Sequence, residues 1–442
     1  MRRKDFTKQS SGMRKVLMCA SVASMIDQFN LPNICLLQKM GYVVHVACNF
    51  KEGNTCDAKR LKELKQELCR MQVVWHQWDC PRSVYAFKKC CVAYRQLWKL
   101  TKEHIFAWIH CHSPVGGALA RMVAHQRNIR VIYTAHGFHF YRGAPFIYWF
   151  LYYPAEKLLS YWTDVLITVN KEDYRLAKRK LRAQRVYRIP GVGIDVNKFG
   201  QYSVKIPKIQ DHTARIHDEK RKFCKICKIP EDAVILLSVG ELNKGKNHQM
   251  VLTALASMKR LNIYYLICGQ GSRRKKLEQY AARLGVRSRV RMLGYQKNMP
   301  YIYQNANIFV FPSIREGMPV ALMEAMAAGM PCVVSDIRGN RELIDEAPVG
   351  QRPHKKGMQL QQPGGMRFQP QRPRQLRKAL ELLVENEVLR KQCGAYNQTK
   401  IRNYAQEAVQ EKMRKIYAKE EQYAKSISND GCIQYGKECA HS

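Results

Sequence analysis

The sequence has no run of about 18 uninterrupted apolar residues, the length a bilayer-crossing helix needs, so no transmembrane span is expected. Acidic residues are scarce. Against 75 Lys+Arg there are 35 Asp+Glu, a formal charge of +40. Such a surplus implies an anionic partner, but its sign alone does not separate nucleic acid, acidic lipid headgroups and phosphorylated substrates. No internal repeat of solenoid period is present, and no low-complexity tract. The 16 cysteines lack the pattern of a disulfide scaffold. Cys90–Cys91 and Cys224/Cys227 have no partner pair at structural-zinc spacing, so buried thiols in a reducing cytosol are expected. The basic start Met1-Arg-Arg-Lys-Asp precedes an apolar run, Val16–Ala20, too short for the core of a signal peptide. The expected location is therefore the cytoplasm.

What the 442 residues do contain is short apolar runs alternating with amphipathic, helix-length stretches. The first series is Val16–Ala20, Tyr42–Cys48, Val73–His76, Ile105–His110, Val131–Thr134 and Val165–Val169. The second is Val234–Val239, Ile263–Cys268, Val290–Leu293, Ile308–Phe311 and Cys332–Ser335. Val- and Ile-rich runs bounded by Gly, Asn or Pro read as buried parallel strands of βα units, and two series predict two doubly wound α/β domains. The break is placed near Pro190-Gly-Val-Gly193. Residues 200–222 read as polar and basic with few strand signals. The stretch 346–374, with Pro348, Pro353, Pro363, Pro370 and Pro373, reads as a surface loop. Helical periodicity resumes at Gln375–Glu387 and Tyr404–Tyr423.

The most informative segment is Phe311-Pro-Ser-Ile-Arg-Glu-Gly-Met-Pro-Val-Ala-Leu-Met-Glu-Ala-Met-Ala-Ala-Gly-Met-Pro331. A strand ends at Phe311, a loop carries Glu316 and Gly317, and Pro319 opens a helix over Val320–Ala328 that Gly329 stops. Free amides and the positive end of that helix, at the carboxyl edge of a parallel sheet, favour a phosphate there. The expected contacts are Gly317, Met318 and Val320. Glu316 can accept hydrogen bonds from sugar hydroxyls. Glu324, about one turn after Val320, can hold a ribose diol with its two acceptors. An isolated Glu pair is more often a solvated surface feature; the frame Ser-x-x-Glu-Gly-x-Pro, Glu-Ala-Met-Ala, Gly-x-Pro reverses that weighting.

On these residues the chain resembles the family 4 retaining glycosyltransferases of GT-B fold, and the likeness spans almost its whole length. The resemblance implies two Rossmann-like domains facing across a cleft: 1–192 on the acceptor side, 193–400 binding a nucleotide sugar, and 401–442 a helix packing back toward the first domain, plus a tail. It implies that Lys246, in Ser238-Val-Gly240-Glu241-Leu-Asn-Lys-Gly-Lys246-Asn-His248, grips the donor diphosphate and neutralises charge that grows as the glycosidic bond breaks. Gly240 lines the same turn. Where the family carries Arg this chain has Glu241, so another cation must substitute (Lys244, Arg315 or Arg338) or Glu241 positions Lys246. His136, before Gly137, matches a histidine that reaches the donor sugar and orients the reacting centre. His139 is a weaker candidate.

His110-Cys-His112 invites a metal reading, but strand alternation points both imidazoles one way without further ligands, so a loop through His112 and Gly116 that lines the cleft is expected instead. Cys19–Asn30 would be the corresponding first loop. Cys268-Gly-Gln-Gly271 is too little of a dinucleotide fingerprint for NAD, and Gly271 and Gly294 fit turns near the nucleotide. No Asp-x-Asp pair occurs, so no metal or other cofactor is expected to be needed, the nucleotide sugar being a substrate. The aromatic stretch Ala144–Pro154, flanked by Arg142 and Lys157, reads equally as a membrane-surface helix or a core helix; clustered basic residues over Lys171–Arg188 favour the membrane. The resulting expectation is transfer from a nucleotide diphosphate sugar, UDP-linked, to a lipid-linked or oligosaccharide acceptor in cell-surface polysaccharide assembly, at the inner face of the cell membrane. The competing readings are a nucleic-acid-binding protein, for which no basic recognition helix is visible, and a nucleotide-sugar epimerase of the same fold.

Overall fold

Strands apolar on both faces need helices on both sides of their sheet. The computed structural model, which describes residues 14–52, 56–204, 212–259, 262–345 and 364–438, gives them that cover. The first sheet holds β1 (Lys15–Ala20), β2 (Val43–Cys48), β3 (Val74–Gln77), β4 (Trp108–His112), β5 (Arg130–Ala135), β6 (Val165–Thr168) and β7 (Arg185–Arg188), in the order β3-β2-β1-β4-β5-β6-β7. The second holds β8 (Val234–Val239), β9 (Ile263–Cys268), β10 (Val290–Gly294), β11 (Ile308–Phe311), β12 (Cys332–Ser335) and β13 (Gly365–Phe368), in the order β10-β9-β8-β11-β12-β13. All pairings within both sheets are parallel.

In each sheet the strand order reverses once, between β1 and β4 and between β8 and β11. Ligands of open α/β sheets bind outside the carboxyl ends of the strands at such a reversal. Each sheet has its own apolar core. In the first, Leu17, Ile109 and Val131 are fully buried with Leu97 and Val123 from the covering helices. In the second, Leu236, Ile267 and Val333 are buried with Leu255 and Leu380. Each such side chain contributes roughly 1.5–3 kcal/mol on burial, so the strands are held firmly enough to aim the loops at their ends.

The two compact units are residues 1–192 with 407–442, and residues 193–406. The last helix, Gln406–Glu438, lies in the first unit from Glu407 onward. There Tyr417 is bonded through its hydroxyl to His110 Nδ1 at 2.8 Å, and the carboxylate of Glu420, 2% exposed, pairs with Arg130 at 2.5 Å and Arg185 at 2.9 Å.

Several expectations need correction. β7 and β13 were not anticipated; the first is Arg-Val-Tyr-Arg, half-buried, and the second follows the proline-rich stretch. Residues 346–363, with Pro348, Pro353 and Pro363, lie outside the described residues, as does Met1–Asp5. The rest of the presumed loop is strand β13, a turn at Pro370, and a helix from Pro373 to Glu385. The basic stretch around 200–222 is largely helical, Val196–Val204 and His212–Cys227. Cys19–Asn30 is not a loop either: β1 runs through Ala20 and a helix begins at Ala23.

Candidate active site

At the reversal of the second sheet, the loops after β8 and β11 are tied together. The Ile314 amide donates to the Gly245 carbonyl at 2.8 Å, and Lys246 Nζ donates to Glu316 Oε1 at 2.7 Å. The Lys246 ammonium also lies 4.9 Å from the centroid of the Phe311 ring. Both charged side chains are mostly shielded, 23% and 17% exposed, so this pair is stronger than a surface ion pair. Asn243 fixes the lysine's backbone, its Oδ1 accepting from the Lys246 amide at 3.0 Å. The other loop is clamped from behind: Arg338 Nε donates to the Glu316 carbonyl at 3.1 Å, and Gly339 packs on the Gly317 carbonyl so closely that a Cβ would come within 2.5 Å of it.

These contacts decide between the two accounts of Glu241. Its side chain is exposed and makes no bond to Lys246; the carboxylate that positions Lys246 is Glu316. Of the cations named as substitutes, Arg338 is buried against the Glu316 backbone, while Lys244 and Arg315 are exposed.

The helix after the motif runs Val320–Ala327, one residue shorter than expected. Pro319 is its N-cap, not its first turn, with extended backbone and no side-chain cap. The amides at and after Val320 thus face the loop of Gly317 and Met318 without a capping oxygen, an arrangement suited to an anion. On this helix Glu324 accepts from the Tyr303 hydroxyl at 2.9 Å, and burial pushes its carboxyl up to about 7, the Tyr303 bond pulling the other way. Tyr303, fully buried, is a partner the sequence did not reveal; it precedes Glu324 by 21 positions on another helix and carries no motif.

The glycines stitch three strand ends together. The Gly240 amide donates to the Cys268 carbonyl at 2.9 Å, and the Gly269 amide to the Gly294 carbonyl at 2.7 Å. A Cβ on Gly271 would lie 2.5 Å from the Leu242 carbonyl oxygen. Gly271 is therefore required first by loop packing, whatever else it lines, and Gly294 by its φ of +70°.

In the first unit, His136 follows β5 and His112 ends β4. His112 Nδ1 and His136 Nε2 are 3.1 Å apart, and both line a narrow crevice with Phe29, Asn30, Asn33 and Thr134. Burial holds His136 down at about 4, so the ring is neutral near pH 7. His112 Nε2 is buried and lacks a hydrogen bond. The structure does not bring Gly116 to this crevice as a free amide. Its N–H donates to Ser21 Oγ at 3.1 Å, and Ser21 Oγ is 2.7 Å from Ser113 Oγ, joining the loops after β1 and β4. His110 is satisfied by Tyr417 and by Thr134 Oγ1 at 2.8 Å, in keeping with a structural role. His139 stacks on Tyr152, ring centroids 4.4 Å apart.

Comparison with known proteins agrees with this fold. The model of the glycosyl transferases group 1 matches residues 219–400, and that of glycosyltransferase family 4 matches residues 35–198. EpsD of Bacillus subtilis, named for a glycosyltransferase assignment, is 35% identical over 345 residues, 76% of this chain and 82% of its own. An Escherichia coli UDP-Gal:alpha-D-GlcNAc-diphosphoundecaprenol alpha-1,3-galactosyltransferase is 29% identical over 260 residues, 56% of this chain and 62% of its own. Among solved structures, Anabaena HepE in complex with UDP and glucose superposes with a TM-score of 0.68 at 14% identity, covering 92% of this chain and 100% of HepE, which shows the fold. Two parallel doubly wound sheets, a Lys–Glu pair at a strand-order reversal and identity over four fifths of a relative lead to one conclusion: the chain belongs to glycosyltransferase family 4 and is a transferase of GT-B fold.

Proposed function

We propose that the protein transfers a sugar, with retention at the anomeric carbon, from a UDP-sugar to a lipid-linked or oligosaccharide acceptor in cell-surface polysaccharide assembly. The observation that carries this reading is the Lys246–Glu316 pair beside the uncapped helix start at Val320. A diphosphate arriving there competes for the ammonium and the amides. Lys246 then leaves Glu316 for the phosphate oxygens, and Glu316 is freed to accept hydrogen bonds from the sugar. One exchange of partners thus readies both groups, and the cation meets negative charge as it develops on the leaving phosphate. The bond from the anomeric carbon to the diphosphate oxygen breaks, the acceptor oxygen bonds the same face, and its proton passes to the departing phosphate. Glu324 holds the ribose hydroxyls. Neutral His136 offers a directed hydrogen bond that orients the sugar without adding charge. No metal has a part in this reading, since Lys246 and the helix start carry the electrostatic work.

The relatives support the choice of substrates: the Escherichia coli enzyme's name specifies a UDP-sugar donor and a diphosphoundecaprenol-linked acceptor, and HepE was solved with UDP and glucose. We further propose peripheral contact with an anionic membrane through the helix Phe146–Ser160. Trp149, Tyr152 and Tyr153 pack on the core while Phe146, Ile147, Phe150 and Leu151 stand exposed, so the segment is a core helix on one face and a candidate membrane helix on the other.

Thermal melts with a panel of UDP- and GDP-sugars test the donor. A UDP-sugar at about 100 times its Kd should stabilise by about 2.7 kcal/mol, and GDP-sugars should not. Lys246→Ala and Glu316→Ala should each lower kcat by about 100-fold or more with unchanged circular dichroism. Near-parent turnover in either variant refutes the site.

A further inference from the structure

We infer that the first unit carries a transition-metal site, separate from the residues assigned to sugar transfer, formed by His45, His76 and His104. Among the described residues these three imidazoles each offer one ring nitrogen, and the three nitrogens lie within 4.8 Å of one another. They come from three elements: His45 from β2, His76 from β3, and His104 from the C-cap of the helix Phe87–Glu103. The parallel register explains the convergence. His45 pairs with Val74 and Ala47 with His76, so the two histidines stand two residues apart along one face of the sheet. The helix that covers this face delivers His104 to the same spot.

The rings are already close to a ligand arrangement. His45 Nδ1 and His76 Nε2 are 2.9 Å apart, and the ring centroids of His45 and His104 are separated by 4.8 Å. Imidazoles on a tetrahedral zinc ion have nitrogens roughly 3.3 Å apart, given metal–nitrogen bonds of about 2.0–2.1 Å. Reaching that spacing asks His45 and His76 to exchange a hydrogen bond for two metal bonds, and half-buried His104 to turn inward. The buried Phe106 ring packs against His45 and His104 and walls one side.

The surroundings suit a cation. His104 sits at the negative end of a 17-residue helix. The charged neighbours oppose each other: Lys15 acts on His45, Glu103 on His76. Three nitrogen donors without carboxylate or thiolate select ions of the zinc, copper and nickel class over magnesium or calcium. Three ligands leave a fourth position open to water. Such an ion would tie β2, β3 and the end of their covering helix together at one edge of the sheet.

Zinc chloride added to the metal-free full-length protein tests this, with dialysis equilibrium for affinity and thermal melts for linkage. One equivalent of zinc should bind through the trio and raise Tm. His104→Ala and His104→Gln should weaken that binding by at least about tenfold, as loss of a ligand costs no less than loss of its supporting partner. His125→Ala, whose ring stacks on Trp162, should leave it unchanged. Cobalt substituted for zinc should show the visible bands of a nitrogen-ligated four-coordinate ion. Absence of stoichiometric binding, unchanged affinity in both His104 variants, or a sulfur-to-cobalt charge-transfer band marking cysteine ligation would each overturn the proposal. None of these readouts depends on sugar transfer, so failure here leaves the proposed function standing.

Discussion

Glu324 is a carboxylate whose burial opposes stability at neutral pH. Its folded pKa of about 7 exceeds the ordinary 4.5, so the native state binds the extra proton between those values and the unfolded state does not. Stability from this group is therefore intact below pH 4.5 and is lost as pH rises toward 7. Glu324→Gln keeps an oxygen for the Tyr303 hydroxyl and removes the buried charge. It should be more stable than the parent at pH 8 by roughly 1–3 kcal/mol, with the gain shrinking toward pH 5, as read by urea unfolding at both pH values. Ribose binding should suffer in the same variant. At this scale the sequence showed Glu316, Glu324 and Lys246 because their frame is local. It could not show that Glu316 rather than Glu241 holds Lys246, since that pairing spans 70 positions and depends on how two loops meet.

Among elements, the loops at the ends of β8, β9 and β10 behave as one piece. Gly269 has φ of +148°, and a Cβ there would sit 1.9 Å from the Gly240 carbonyl oxygen. Gly269→Ala should destabilise the second unit by about 2–4 kcal/mol through backbone strain and collision. All six tryptophans precede residue 192, so the loss should appear in circular dichroism with little change in the tryptophan transition. Most of the strands legible beforehand are buried along their length, where hydrophobicity runs nearly unbroken; β3 and β10, half-buried, were legible too. β7 and β13 escaped because each is only four residues long and interrupted by charged or glycine positions. The helices around 200–222 escaped because basic residues dominate the composition there.

For the molecule as a whole, the chain leaves the first unit at Val192 and re-enters it at Glu407. Glu420 secures that return with two guanidiniums, whose carbons lie 4.4 and 4.8 Å from the centroid of the Tyr423 ring. Removing the carboxylate in Glu420→Ala takes from Arg185 its carboxylate partner and leaves Arg130 that of Asp164, among the described residues. The expected cost is about 3 kcal/mol, read in the tryptophan transition of the first unit. The charge of +40 acts at this scale too. Liposomes containing anionic lipid should retain the protein at low salt and release it as the Debye length falls from about 10 Å at 0.1 M to about 3 Å at 1 M. Phe150→Asp should weaken retention at every salt concentration, since it opposes the apolar contribution and not only the charge.

The sequence by itself determined the two series of βα units and the Glu-bearing loop and helix, because alternation, proline and glycine act over a few residues and leave a local signature. Only the tertiary structure decided which carboxylate meets which cation, that glycines at three strand ends share a backbone seam, and that three histidines separated by up to 59 positions converge on one sheet face. Those outcomes follow from strand order and register, which no local run of residues encodes: a side chain's neighbours across a parallel sheet are chosen by the strand beside it, and that strand arrives a full crossover or more along the chain.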